Sequence, residues 1–318
     1  MDGTDKLETN TSEERGRWVL TRRDFLRFSG AALAGVATGA LFDPTGSFAS
    51  NRQILFGMVT DPHYADTPPR GTRFYRQSAQ KMAECVALMN KKGVHFLIEL
   101  GDFKDMDVPP NSTKTLEYLR KIEGVFQKFR GPTYHVLGNH DVDSISKDEF
   151  LRAVTNTRIP PHARFYAFSR NGIRFLVLDA DFRKDGKEYC RGDFDWKDTA
   201  IPAEELAWLK RELNATRQPA IVFVHQPLDG EGDLFVKNAA AVRAVLENSK
   251  RVLAVFQGHK HEGGYSQING IHYYTLKALV EGSGKENNAY ATVEVKRNGD
   301  IVVRGYRKAV SRRWESEN

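Results

Sequence analysis

The chain has 318 residues, 40% of them hydrophobic and 28% charged, with a formal charge of +6 at pH 7. Such a composition is that of a globular protein and excludes collagenous, low-complexity and cysteine-stapled chains. Residues 1–49 hold six Lys or Arg and seven Asp or Glu, so +7 is spread over the remainder. No basic run with interleaved aromatics marks a nucleic-acid footprint, and no specific nucleic-acid partner is expected.

The N-terminal segment reads as an address. Thr21-Arg22-Arg23-Asp24-Phe25-Leu26-Arg27 matches the twin-arginine export signal in residue type and position. The apolar stretch from Phe28 to Phe42 is too short to span a bilayer and suits a signal h-region, so no stable membrane span is expected. Ser47-Phe48-Ala49 offers a small-x-small cleavage site. The expectations are a signal peptide over residues 1–49, one mature domain over 50–318, the twin-arginine translocase as transport partner, and a periplasmic or extracellular location. That route carries proteins already folded.

In the remaining chain, Ile54–Thr60 is an apolar run that ends at Asp61. Gly71–Gly93 has helical spacing, with Phe74, Met82, Val86 and Met89 on one side. Val94–Leu100 reads as a strand ending at Gly101-Asp102, Ser112–Arg130 as an amphipathic helix, and Pro132–Leu137 as a third strand ending at Gly138-Asn139-His140-Asp141. This alternation predicts parallel crossover units. Arg164–Ser169 and Ile173–Asp179 flank Asn171-Gly172, a hairpin signal. A helix is predicted over Pro202–Ala215, with Pro at its start and acids in its first turn. Strands are predicted over Ala220–Val224 and Val252–Phe256, with a helix over Ala239–Leu246 between them. From Gly264 onward the pattern reads as antiparallel: Tyr265–Ile268, Ile271–Leu276, Ala291–Lys296 and Ile301–Tyr306, with turns at Asn269-Gly270 and Asn298-Gly299. Two sheets packed face to face, with helices outside each, account for the mixture.

Five short motifs follow predicted strands in order: Asp61-Pro62-His63, Gly101-Asp102, Gly138-Asn139-His140-Asp141, His225, and Gly258-His259-Lys260-His261. Hard divalent ions prefer carboxylate oxygen and neutral imidazole nitrogen. Asp61 and His63 lie two apart, so an extended segment directs them to the same side. Asp102 adds a carboxylate able to bridge two ions, Asn139 an uncharged amide oxygen, and His225 an imidazole. His259 and His261 either cap one ion together or serve one each. Two such ions lower the pKa of a shared water and yield a hydroxide nucleophile near neutral pH. The two cysteines, Cys85 and Cys190, form no Cys-x-x-Cys, which argues against a thiolate zinc site. Cys85 falls on the apolar side of a predicted helix and Cys190 in a polar loop; two positions alone do not fix a disulfide.

With these residues in place, the chain resembles the calcineurin-like metallophosphoesterases, which share the ordered motifs D-x-H, G-D, G-N-H-D/E, H and G-H-x-H. The resemblance runs over roughly residues 53–308. It implies an α/β fold, a four-layer αββα sandwich of two mixed sheets, and hydrolysis of a phosphate ester by metal-bridged hydroxide. It also implies that Asp61, His63, Asp102 and His261 hold one metal and Asp102, Asn139, His225 and His259 the other. His140 would face the leaving group, with Asp141 beside it as orienter. Purple acid phosphatases carry a tyrosine three residues after the G-D aspartate; Asp105 stands there in this chain, which disfavours a tyrosinate-bound ferric ion. Manganese is the expected metal, with zinc or iron as alternatives.

Tyr64-Ala65-Asp66, Gly71-Thr72-Arg73-Phe74-Tyr75-Arg76, Ile173–Ala180 and His261-Glu262-Gly263-Gly264-Tyr265-Ser266 resemble the Mn-dependent ADP-ribose/CDP-alcohol diphosphatase subgroup. This implies a small-molecule phosphate ester or nucleoside diphosphate as substrate, with Tyr64, Arg73 and Arg76 as candidate contacts. The chain departs from that subgroup at His63, where glutamine is frequent, and in its export signal. A cyclic-nucleotide or general phosphodiesterase or phosphomonoesterase is the alternative, and a non-catalytic scaffold of the same fold a remote one. His95 and His135 fall inside strand patterns and read as structural. Trp208 and Leu209 read as packing.

Overall fold

The computed structural model describes residues 54–315. The twin-arginine motif, the apolar stretch and the cleavage site therefore lie outside the described residues.

The chain opens with β1 (Ile54–Val59), then crosses through a helix, α1 (Ser78–Lys92), to β2 (Leu97–Glu99). A second crossover through α2 (Ser112–Phe126) reaches β3 (Thr133–His135). Met82, Cys85, Val86 and Met89 repeat every three or four residues along α1 and are buried as one stripe. Gly93 ends the helix in a left-handed conformation, φ 63°. In α2 the Asn111 side chain accepts from Lys114 N at 3.1 Å and caps the first turn. β1, β2 and β3 pair in parallel, as the crossovers require.

A short helix, α3 (Lys147–Ala153), leads to a hairpin of β4 (Tyr166–Arg170) and β5 (Ile173–Val177). Asn171 and Gly172 turn it with φ of 50° and 77°, the positive values that a two-residue hairpin demands. Then come α4 (Ala203–Ala215), β6 (Ala220–Val224), α5 (Ala239–Ser249) and β7 (Val252–Gln257). β8 (Gly264–Ile268) and β9 (Ile271–Thr275) form a hairpin, as do β10 (Ala289–Val295) and β11 (Ile301–Arg307), and β12 (Arg312–Trp314) closes the described chain.

The strand orders are β12-β11-β10-β1-β2-β3 and β4-β5-β6-β7-β9-β8. Between the sheets lies an aromatic core. Phe56 stacks on Phe96 at 4.8 Å and meets Phe175, Phe223 and Phe256 edge-on at 5.7–5.9 Å. Each such fully buried ring contributes about 1.5–3 kcal/mol of burial. α1 and α2 cover the outer face of the first sheet with Met82, Leu119, Ile122 and Phe126. α4 and α5 cover the second with Leu209, Leu213, Val242 and Leu246. The result is the four-layer αββα sandwich, two mixed sheets flanked by helices. No helix among the described residues is long and apolar enough to cross a membrane.

Three local expectations change. The helix predicted from Gly71 begins at Ser78 after a 3-10 turn over Tyr75–Gln77, because Arg70 and Arg73 exchange backbone hydrogen bonds and Arg73 also bridges Glu281. The antiparallel reading after Gly264 fails at one pairing. β9 slots between β8 and β7 and runs parallel to β7, so the two terminal hairpins belong to different sheets. β12 and α3 carry too few apolar residues for a periodicity to register. Cys85 is buried, Cys190 is part-exposed, and both are free thiols.

Candidate metal centre

Every candidate ligand lies just beyond the carboxyl end of a parallel strand, the edge where open α/β sheets hold their ligands. Asp61 and His63 follow β1, Asp102 follows β2, Asn139 and His140 follow β3, His225 follows β6, and His259 and His261 follow β7. Four of them are held in left-handed backbone: Asp61 at φ 50°, His63 at 44°, Asp102 at 56° and His259 at 65°. This conformation costs non-glycine residues about 1–3 kcal/mol and persists where surrounding bonds over-determine it. Those bonds run between the motifs: Asp61 N to Gly101 O at 3.0 Å, His63 N to Asp102 O at 2.9 Å, and Gly258 N to His225 O at 3.0 Å. The motif glycines are steric requirements. A Cβ on Gly101 would lie 2.5 Å from His225 Nδ1, and one on Gly258 2.9 Å from Asp61 Oδ2.

Each carboxylate divides its oxygens between scaffold and cavity. Asp61 Oδ2 accepts from Thr60 Oγ1 at 2.6 Å and His259 N at 3.1 Å. Its Oδ1 has no hydrogen-bond donor and lies 3.4 Å from His261 Nε2 and 3.7 Å from His63 Nε2. Asp102 Oδ1 accepts from His140 N at 2.7 Å. Its Oδ2 lies 3.5 Å from His63 Nε2 and 3.1 Å from His225 Nε2, between the two halves of the site. Burial alone would raise both carboxyls. Contacts with His261 and His63 hold Asp61 well below the usual carboxylate range, and His225, His140 and His63 do the same for Asp102.

The imidazoles are oriented from behind. His225 Nδ1 lies 2.8 Å from Leu100 O, His261 Nδ1 lies 2.6 Å from Glu281 Oε1, and His63 Nδ1 lies 3.3 Å from Asp105 Oδ2. An oxygen at Nδ1 fixes the proton there and turns the Nε2 lone pair inward, the arrangement of metal-ligating histidines. His63 Nε2 and His261 Nε2 then face each other at 3.2 Å beside Asp61 Oδ1. These three atoms converge on one point, where a cation can sit between them. A proton serves in part: against burial, Asp61 and Glu281 raise the His261 ring to about 9. Asn139 Oδ1 and His259 Nε2 are buried without partners. Burial, and then the neighbouring His225, press His259 down to about 3, so it presents a neutral ring. The donor set fits divalent cations, and Asp61, His63 and His261 form one compact group and Asp102, His225 and His259 another.

His140 lies at the cavity face with its side chain 27% exposed. Its Nδ1 is 3.4 Å from Asp105 Oδ1 and 3.7 Å from Asp143 Oδ2. Burial opposes protonation, but Asp105 and Asp102 raise the ring well above its ordinary value. The orienting role expected of Asp141 falls elsewhere in the structure. The Asp141 carboxylate accepts from the backbone N–H groups of Asp102, Phe103 and Gly138 at 2.9–3.0 Å, so it ties the second motif to the third. Lys104 holds the turn that carries His140, donating to His140 O at 2.5 Å and to Asp143.

The cavity above these residues has a volume of about 230 Å³, and Arg73, Trp196 and Leu234 join the metal-site residues in its wall. Of the three candidate substrate contacts, only Arg73 lines it. Tyr64 is 2% exposed and packs edge-on against Tyr118, and Arg76 is engaged by Asp66 on the outer surface. His135 sits between Glu123 and Glu99 at 3.1 and 3.6 Å, and His95 bonds the Leu55 backbone. Trp208 packs on Phe165, and Leu209 is fully buried. Asp105, Glu281, Lys104 and Trp196 escape a motif reading. Asp105 follows Asp102 by three residues and so could have been found; Glu281 lies in a polar connection with no spacing to the ligands.

Residues 54–263 match the calcineurin-like phosphoesterase family. A curated protein of Oryza sativa subsp. japonica, named manganese-dependent ADP-ribose/CDP-alcohol diphosphatase, is 30% identical over 279 residues, 73% of this chain and 86% of its own. The Homo sapiens protein of the same name is 24% identical over 307 residues, 78% of this chain and 89% of its own. The crystal structure of a dimetal phosphatase from Danio rerio shares the fold, with a TM-score of 0.72 at 20% identity over 83% of this chain and 99% of that one. The chain belongs to the calcineurin-like phosphoesterase family and is a metal-dependent phosphoric ester hydrolase.

Proposed function

We propose that the protein is an exported, manganese-dependent hydrolase of the diphosphate linkage in ADP-ribose- or CDP-alcohol-type substrates. Two ions would be held, one by Asp61, His63, Asp102 and His261 and the other by Asp102, Asn139, His225 and His259. The observation that carries the two-ion reading is Asp102 Oδ2, placed 3.5 and 3.1 Å from imidazoles of the two sets. The substrate class rests on the shared name of the rice and human relatives. The twin-arginine motif supports export to the periplasm or beyond.

Bound divalent ions supply Lewis acidity and an acidified water. The chain supplies the rest. Asp61 and Asp102 bring negative charge that keeps the cations in place. Asp105 and Asp102 keep the His140 ring protonated, so that it can donate to the oxygen leaving phosphorus. Arg73, a cation in the cavity wall from outside the motifs, would supply the counter-charge that a second phosphate needs.

The test is a hydrolysis panel on the purified full chain, stripped of metal and reloaded separately with Mn, Zn and Fe(II). It contains ADP-ribose, CDP-choline, cyclic AMP, para-nitrophenyl phosphate and its bis ester. Preferred cleavage of ADP-ribose or CDP-choline with Mn supports the reading. Activity confined to cyclic AMP or to the nitrophenyl esters would replace it with a phosphodiesterase or monoesterase.

A further inference from the structure

Trp196 stands 38% exposed at the rim of the metal cavity, with its ring centroid 5.8 Å from that of His259. An aromatic side chain this large is ordinarily buried, and folding gains from covering it. Here more than a third of it stays exposed, on a loop held by its own hydrogen bonds. Asp195 O accepts from Asp198 N at 2.9 Å and from the hydroxyl of Tyr189 at 3.0 Å, and Asp195 Oδ1 accepts from Lys197 N at 3.0 Å. Tyr189 is itself fully buried and stacks on Phe194 at 4.1 Å. Thr199 ties the loop down on both sides: its Oγ1 donates to Ala180 O at 2.6 Å, and its carbonyl accepts from Lys237 N at 2.7 Å.

The cavity is about 230 Å³. That falls below the roughly 300–1,000 Å³ of sites that enclose a drug-sized ligand. The reacting phosphates fit inside it, and the remainder of a nucleotide must lie across the rim. In the cavity wall Trp196 neighbours His259, in one half of the site, whereas Arg73 neighbours Glu281, which bonds His261 in the other half. A planar base and an anionic diphosphate need an aromatic face and a cation in that separation.

Resting on the substrate class proposed above, we infer that Trp196 is a specificity-determining residue, a fixed platform on which the nucleobase of the substrate stacks. Because the loop is ordered beforehand, the contact forms without the entropy of arranging it. Base–aromatic stacking is strong enough that its removal changes binding roughly 5- to 100-fold.

The test compares AMP with ribose 5-phosphate as inhibitors of bis-para-nitrophenyl phosphate hydrolysis by the full-length protein, Trp196→Ala and Trp196→Phe. The two ligands differ at C1′, where AMP has adenine and ribose 5-phosphate a hydroxyl, and the ratio of their inhibition constants does not depend on how much of a preparation is folded. The wild-type protein should prefer AMP by at least fivefold. Trp196→Ala should bring the ratio close to one, and Trp196→Phe should restore most of it. AMP titration should also quench tryptophan emission in the wild type and not in Trp196→Phe. A wild-type ratio near one, or a ratio that survives Trp196→Ala, overturns the inference. Absence of ADP-ribose and CDP-choline turnover alongside an AMP preference that depends on Trp196 would overturn the diphosphatase reading and leave the platform standing.

Discussion

Replacing Glu281 with glutamine tests whether the acid behind His261 sets metal affinity. Glu281 Oε1 lies 2.6 Å from His261 Nδ1, and that contact holds the carboxyl down to about 2, burial opposing. Glutamine keeps the shape and an acceptor oxygen but removes the charge. The His261 Nε2 lone pair then becomes less basic toward a cation. Removing such outer partners typically weakens metal binding 10- to 100-fold, which is about 1.4–2.7 kcal/mol. Calorimetric titration of Mn(II) into the metal-stripped variant should show that loss in one binding step, that of the ion held by His261. Arg73 Nε lies 3.9 Å from the same carboxylate, so Arg73→Gln is the control that removes the cation alone and should leave Mn(II) affinity in place. A Glu281→Gln isotherm within twofold of wild type, with an unchanged melting temperature, refutes the reasoning.

Four further outcomes are expected. His140→Ala should lower kcat by about 10²–10⁴ on an alkyl phosphodiester, whose leaving oxygen needs a proton, and far less on a nitrophenyl ester; equal losses would count against His140 as the acid. Asp105→Asn removes an anion that keeps His140 protonated, so the alkaline fall of the kcat profile should move to lower pH, and an unmoved limb argues against the pairing. Gly101→Ala must strain a backbone at φ 98° and displace the His225 ring. It should cost about 1–3 kcal/mol in denaturant unfolding and also weaken Mn(II) binding; normal metal affinity would show that the ring had room. His135 is raised from 6.5 to about 9 by Glu123 and Glu99, burial opposing. Its contribution to stability is full below pH 6.5 and lost as pH rises through about 9. The melting-temperature gap between wild type and His135→Asn should therefore narrow between pH 6 and pH 10.

The sequence predicted the layers well because each layer has a periodicity of its own. Ala220–Val224 and Val252–Phe256 are continuous apolar runs because both faces of their sheet are covered, and Met82, Val86 and Met89 repeat at helical spacing because one face of α1 is covered. What failed was pairing. The strand pattern of β9 is the same whether its neighbour runs parallel or antiparallel, and only the three-dimensional chain path places it beside β7. The start of α1 failed for a related reason. Arg73 has its backbone partner at Glu281, more than two hundred positions away in sequence.

The same division runs through the site. Asp61, His63, Asp102, Asn139, His225, His259 and His261 converge at one sheet edge, and all but His225 carry a local signature of glycines or two-residue spacing that goes with a short loop at a strand end. Asp105 and Glu281 answer to no such rule. Any oxygen that reaches a histidine Nδ1 satisfies the chemistry, and the three oriented imidazoles use three different sources: a backbone carbonyl at Leu100, an aspartate at Asp105 and a glutamate at Glu281. Asp141 shows the converse. It sits beside His140 in sequence, yet its carboxylate serves backbone donors, because the loops after β2 and β3 would otherwise leave buried N–H groups unpaired. Adjacency in a motif thus identifies residues bound by a common backbone geometry, whereas the partner that tunes a ligand is chosen by reach alone. In this chain the partner that faces His140 is Asp105, an acid from a different strand end that also faces His63, so a single carboxylate couples a metal-ligand candidate to the histidine proposed to face the leaving group.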